Sequence, residues 1–269
     1  MKWFFSDLFS QYKNEVSLII KNFKTSGLLI GPGSRNVVKI FEIDGKRYNF
    51  KSFKQHNIIN RHVYKFYRKS KARRSFEYAN FLLSKNFHTP NPAAYVEFHD
   101  FIGLTSSYYI SEQLENCVPL TEVLYNPHFS DRESIFREYA SLMYNLHENG
   151  IEFLDNAPGN FLLKKENDTY KFYLVDLNRM NFHSIFPTDK RLRNFARLTT
   201  DLGIMKIISD EYSKLSGIPA EYCLKKINQA SNRMILKRKI KKILKFYKYF
   251  LKFKVMIFYD VPILIITCT

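Results

Sequence analysis

The chain has 269 residues, 45% of them hydrophobic and 16% aromatic, with nine Gly and nine Pro. That composition excludes disordered, collagen-like and low-complexity classes, and it supplies a core for one large domain or two modest ones. Forty-two Lys and Arg against twenty-five Asp and Glu leave a net charge of +17, which points to a polyanionic partner or an anionic membrane surface.

Cys117, Cys223 and Cys268 lie far apart with no metal or redox spacing. A sparse, odd set of cysteines fits reduced thiols in a cytoplasm. Asp7 interrupts the opening MKWFFSDLFS before an apolar stretch of export length develops, so no signal peptide is expected. The expectation is a soluble, basic, intracellular protein.

Taken in chain order, the predicted elements begin with strands at 28–31, 37–43 and 47–53, the last two joined through a tight turn at Asp44-Gly45. A long helix is predicted over 60–85, with Val63, Phe66, Tyr67, Phe76, Ala79 and Leu83 on one side and Thr89-Pro-Asn-Pro92 as its stop. Strands follow at 93–98 and 107–112. From Ser130 the pattern turns helical, with Ser130 and Glu133 as a capping box and Ile135, Phe136, Tyr139, Leu142, Met143 and Leu146 as the apolar stripe. Gly150 ends that helix. Strands at 161–164 and 171–176 come next, and the chain to about Asn232 reads as mostly helical. The domain organisation expected is a β-rich lobe over residues 1–116, a helical lobe over 117–232 and a basic segment over 233–269.

The positive charge is concentrated. Ten basic residues and no acidic one lie between Arg233 and Lys254, and seven more lie between Arg61 and Arg74. In the first of these runs the cations interleave with Ile235, Leu236, Ile240, Ile243, Leu244, Phe246, Tyr247, Phe250, Leu251 and Phe253, as in a helix lying on an anionic membrane surface. The bland alternative is a helix docked on the preceding lobe with a wet basic face. The tail 255–269 is apolar but carries Asp260 and Pro262 and is too short to span.

The most informative stretch runs from Leu146 to Leu163. Asp155 and Asn160, five residues apart, leave a helix and enter a strand, and the run Phe172-Tyr-Leu-Val ends at Asp176. Strand ends deliver side chains to a common edge, so these three can converge. A carboxylate that accepts a hydroxyl proton, with an Asn oxygen and a second carboxylate holding Mg²⁺, suits phosphoryl transfer. Taken singly, Asp155 and Asn160 read as turn formers, and Glu77 as a surface partner of Arg73 four residues before it. His147 reads as structural. The seven His show no metal-ligand pair, and the aromatic strand motifs of RNA binders are lacking, so neither zinc nor a specific nucleic acid is expected.

In this order the motifs resemble the protein-kinase-like fold, in the branch of bacterial lipopolysaccharide core kinases that phosphorylate heptose or Kdo. The resemblance rests on Asp155-x₄-Asn160, the approach Leu146-His-x-x-Gly-Ile, Val175-Asp176-Leu-Asn-Arg-Met, the strand lysine in Phe50-Lys51-Ser-Phe-Lys54, and Glu77 in the helix that follows. It covers residues 28–198. It implies an α+β, two-lobe fold: a small antiparallel β lobe with one long helix, and a mainly helical C-terminal lobe. It implies ATP and Mg²⁺ as cofactors and a lipopolysaccharide core sugar as substrate, at the cytoplasmic face of an inner membrane. Asp155 then is the catalytic base, Asn160 and Asp176 hold the metal, and Lys51 pairs with the phosphates. Glu77 orients Lys51, while Gly31 and Gly33 belong to the phosphate-covering loop. Lys54 competes with Lys51 for its role. Phe153 stands where the family places a His, the glycine loop is reduced to Gly31-Pro-Gly33-Ser-Arg-Asn36, and no A-P-E segment follows Asp176. These departures keep a second reading open, an inactive kinase-like module that binds nucleotide and docks on a membrane or partner.

Overall fold

A computed structural model of the chain describes residues 1–31, 36–53, 68–167 and 169–259, with side chains as far as residue 247. The front lobe is an antiparallel sheet of six strands in the order β1-β5-β6-β4-β3-β2. These are β1 (Lys2–Phe5), β2 (Leu28–Ile30), β3 (Asn36–Ile43), β4 (Lys46–Phe53), β5 (Pro92–His99) and β6 (Leu104–Glu112). Asp44 and Gly45, both at positive φ, turn β3 into β4 as their Asp-Gly chemistry requires. Along β4 the side chains alternate. Tyr48 and Phe50 are buried in a core with Phe9, Val16, Phe23, Ala94, Val96 and Ile110, while Asn49 and Lys51 take the opposite face. Fully burying Phe50 contributes about 2–3 kcal/mol.

The strand β1, a 3-10 turn at Asp7–Tyr12 and helix α1 (Lys13–Lys21) were not legible in the sequence. Their apolar residues are too few for a period, and only pairing of β1 with β5 and burial of Phe9 and Val16 defines them. Helix α2 (Lys71–Ser84) is capped by the Ser70 hydroxyl, which accepts from the Arg73 amide at 3.0 Å. Its Ala79 and Leu82 pack into the core of the rear lobe, so α2 belongs to the junction between the lobes. The earlier part of the helix predicted over 60–85, and Lys54, lie outside the described residues.

The rear lobe contains β7 (Val118–Pro119), α3 (Leu120–Tyr125), α4 (Arg132–Glu148), β8 (Ile151–Phe153), β9 (Phe161–Glu166), β10 (Thr169–Leu174), β11 (Met180–Phe182), α5 (Thr188–Arg193), α6 (Leu202–Ser216) and α7 (Ala220–Tyr259). Helix α4 buries Ile135, Phe136, Tyr139, Ala140, Met143 and Leu146 at helical spacing. The capping box expected at Ser130 does not form: Asp131, at φ 58°, occupies the N-cap without a side-chain bond. The pairing of β8 with β11 was also unforeseen, because three-residue strands carry no readable period. Gly150 allows it. At φ 69° its bare Cα faces the His183 carbonyl so closely that a Cβ would collide with it.

Helix α7 runs unbroken through residue 233, where a boundary between segments was expected. Burial changes there instead. Cys223, Ile227, Ala230 and Ser231 are buried against the lobe, whereas Leu236, Ile240, Ile243, Leu244, Phe246 and Tyr247 are all exposed. The distal part is therefore not docked on the lobe, and the wet-faced docked helix is excluded over 236–247. No described helix is long and apolar enough to cross a membrane.

Candidate active site

The two lobes enclose a cleft of about 610 Å³. The hairpin of β9 and β10 builds its floor. Pairing of Phe161 with Leu174 places Asn160, just before β9, beside Val175 and Asp176, just after β10. The Val175 amide donates to the Asn160 carbonyl at 2.9 Å, which fixes this proximity. Asn160 and Asp176 both line the cleft, as do Lys51, Gly31 and Gly159. Gly33 lies outside the described residues.

Asp176 adopts φ 59°, a left-handed conformation that Asp tolerates better than most residues. Its Oδ1 accepts from Lys51 Nζ at 2.7 Å and from Asn178 Nδ2 at 2.5 Å. Asn160 Nδ2 donates to the Asp155 carbonyl at 2.8 Å, which leaves the Asn160 side-chain oxygen available to a cation. One amide oxygen and one carboxylate lining the cleft are hard-oxygen donors of the kind Mg²⁺ takes, since this ion completes its shell with water and phosphate. Among the described residues no cluster of three or more His, Cys, Asp or Glu could hold a metal by itself.

Asp155 adjoins this pair through that hydrogen bond. Its carboxylate is held by Arg197 at 2.8 Å and faces Arg179 at 3.8 Å. The three polar residues from the middle of the chain are thus neighbours. The loop between them is anchored without the family's His. Asn194 Nδ2 donates to the Phe153 carbonyl, Asn156 Nδ2 donates to the Asn194 carbonyl, and Tyr139 donates to Asn156 Oδ1 at 2.6 Å. His147 is buried between Tyr212 and Asn194, and burial pushes its imidazole down to about 3. The Phe153 ring fills the remaining space against Phe161, with ring centroids 5.6 Å apart. Asn156, Asn194, Arg197 and Tyr212 escaped the sequence reading. Only the Pro-bounded short helix and turn at 188–197 bring the last part of the chain back beneath the loop.

One expectation is corrected. Glu77 does not pair with Lys51; it accepts from Lys69 at 2.8 Å and from Arg73 at 2.9 Å. Burial works to raise its carboxyl, but the hydrogen bonds from Lys69 and Arg73 outweigh this and hold it below the ordinary range. The physical reason is local: Arg73 lies one helical turn away on the same face, and Lys69 just precedes the helix. Another residue links α2 to the Asp176 corner of the cleft. Arg74, largely buried, donates from Nη1 to the Asn178 carbonyl at 2.7 Å, and Asn178 in turn holds Asp176.

A β lobe joined to a helical lobe, with a strand lysine reaching a carboxylate across the intervening cleft, defines a kinase of the protein-kinase-like class. Residues 33–216 match the model of the Lipopolysaccharide kinase (Kdo/WaaP) family. The chain belongs to that family. Among solved structures it is similar to WaaP in complex with acyl carrier protein, with a TM-score of 0.60 and 17% identity over 90% of this chain and 99% of that one. A Rio2 kinase–ADP/Mg²⁺–phosphoaspartate complex from Chaetomium thermophilum matches at a TM-score of 0.45 and 15% identity, over 82% of this chain and 75% of that one. A search of curated sequences gives no match.

Proposed function

We propose that this kinase transfers the γ-phosphoryl group of ATP, with Mg²⁺, to a hydroxyl of heptose or Kdo in lipopolysaccharide core, at the cytoplasmic face of an inner membrane. The observation that carries the reading is the Lys51–Asp176 pair across the cleft, beside Asn160 and within one hydrogen bond of the Asp155 loop. Lys51 binds the phosphates as a point charge, and Asn160 and Asp176 would hold the metal. A Mg²⁺ held by these residues would supply neutralisation of charge on the phosphates. The Asp155 carboxylate takes the proton of the sugar hydroxyl as its oxygen bonds to the γ-phosphorus and the bond to ADP breaks. Arg197 fixes the rotamer of Asp155 for that task, leaving its second oxygen toward Arg179. The test is transfer of labelled phosphate from Mg·ATP to extracted core oligosaccharide. Nucleotide binding with no transfer would favour the inactive module in its place.

The membrane-face location is supported by α7. Beyond residue 233 its exposed side includes Leu236, Ile240, Ile243, Leu244, Phe246 and Tyr247 among Lys237, Arg238, Lys239, Lys241, Lys242 and Lys245. The stretch to Tyr259 is about 40 Å long. Each cation close to an anionic leaflet contributes about 1 kcal/mol, so a few suffice for peripheral attachment. Flotation with vesicles containing phosphatidylglycerol should carry the full chain and leave behind a chain ending at residue 232. The WaaP structure is a complex with acyl carrier protein, which makes a carrier protein the second candidate partner for this chain. Capture of this chain by carrier protein, with no vesicle binding, would replace the membrane in this reading.

A further inference from the structure

More cations surround Asp155 and Asp176 than these two carboxylates require. Lys51 is paired with Asp176. Lys71, its ammonium 5.9 Å from the centre of the Phe53 ring, lies within electrostatic reach of the same carboxylate. These two lysines are the charges available to the phosphates. Asp155 has two guanidinium groups of its own. Arg197 bonds its Oδ1 at 2.8 Å, which suffices to fix the carboxylate's rotamer. Arg179 Nη1 stands 3.8 Å from Oδ2, beyond hydrogen-bond length.

The Arg179 side chain is 59% exposed, and among the described residues it has no hydrogen-bond partner. Its backbone, by contrast, is pinned. The Arg179 carbonyl accepts from the Leu154 amide at 3.1 Å, and Met180 pairs with Phe153 where β11 joins β8. A fixed main chain thus presents an open guanidinium beside the proposed base. An acceptor hydroxyl that gives its proton to Asp155 must come within about 3 Å of that carboxylate, which brings the sugar bearing it beside Arg179. The planar fork of a guanidinium matches a carboxylate or a phosphate. Heptose is neutral, whereas Kdo carries a carboxylate and a heptose already phosphorylated carries a phosphate.

We infer that Arg179 binds an anionic group of the acceptor, a carboxylate or a phosphate close to the reacting hydroxyl, and so selects an acidic acceptor over a neutral one. This inference rests on the sugar-kinase reading and adds the acceptor's chemical class to it. The test is steady-state transfer from Mg·ATP to extracted core oligosaccharide by the full-length protein. The oligosaccharide is used untreated, after amidation of its carboxylates, and after removal of its phosphates with hydrofluoric acid. For wild type, the treatment that removes the recognised anion should raise KM about tenfold, and which treatment does so separates carboxylate from phosphate. Arg179→Ala should show the raised KM on untreated oligosaccharide and no further rise on the treated one, because the two losses are of one contact. Arg179→Lys, which keeps the charge, should recover part of the affinity. Circular dichroism on each variant confirms that it is folded. A wild-type KM that neither treatment alters overturns the inference alone. So does a folded Arg179→Ala protein that loses kcat with KM unchanged, since that places Arg179 on Asp155 and not on the acceptor. A wild-type protein that binds Mg·ADP and transfers to none of the three overturns the sugar-kinase reading, and this inference with it.

Discussion

Lys51 Nζ reaches Asp176 Oδ1 at 2.7 Å, joining the centre of the front sheet to the end of the β9–β10 hairpin across 125 positions of sequence. Both side chains are mostly shielded, at 16% and 28% exposure, so removing either leaves a charge poorly solvated. Lys51→Met should lower affinity for Mg·ADP at least tenfold and transfer by roughly a hundredfold or more. Asp176→Asn should abolish the dependence of nucleotide affinity on Mg²⁺ while leaving the fold intact. Titrations with and without Mg²⁺ check both. A Lys51→Met protein with undiminished affinity would remove the lysine from the site.

Asp155 lies outside the lining of the cleft, yet is tied to Asn160. Its loss should therefore separate binding from chemistry. Asp155→Ala is expected to bind Mg·ADP within about twofold of wild type and to lose transfer by roughly 10²–10⁴. Single-turnover transfer measured beside calorimetry tells the two apart. Full transfer by Asp155→Ala would remove the mechanism.

Arg74, rather than Glu77, connects helix α2 to the Asp176 corner of the cleft. Arg74→Met removes a charge-assisted bond to the Asn178 carbonyl and should cost about 2 kcal/mol of stability. It should also lower kcat, because Asn178 positions Asp176. Glu77→Gln disturbs only partly exposed pairs with Lys69 and Arg73 and should cost under about 1 kcal/mol, with nucleotide affinity unchanged. Urea denaturation and ADP titration of the two variants decide the matter. A Glu77→Gln protein that loses nucleotide binding as severely as Lys51→Met would restore the Lys51–Glu77 pairing.

His147 makes stability depend on acid. Burial disfavours its charged form, with the Asn194 hydrogen bond opposing, and the folded value lies at about 3 against an ordinary 6.5. Between those pH values the unfolded chain holds the extra proton and the folded chain does not. Stability from this group is therefore complete above about pH 6.5 and falls as pH is lowered, by up to about 1.4 kcal/mol per pH unit. Denaturation curves at pH 7 and pH 5 should show the loss. His147→Gln should be less stable at pH 7 but flatter between the two; an unaltered slope would assign the acid sensitivity to other groups.

Much of the site was legible in the sequence because its key spacings are local. Asp155 and Asn160 share one loop, and a hairpin of two short strands closes Asn160 on Asp176, so alternation and turn chemistry already bring them together. Lys51 falls in the strand predicted over 47–53, and the resemblance to the sugar kinases gave the order of the parts. Only the tertiary structure could decide the partners. Glu77 had Lys51, Lys69 and Arg73 within plausible reach, and the helical turn favoured the near ones. Arg197 and Asn194 meet the Asp155 loop, and Tyr212 meets His147, only after the last third of the chain folds back beneath them, contacts no period records. The same holds for α7: its charge and apolar content were plain in the sequence, but whether that side is covered depends on where the lobe ends, and the lobe ends near residue 233.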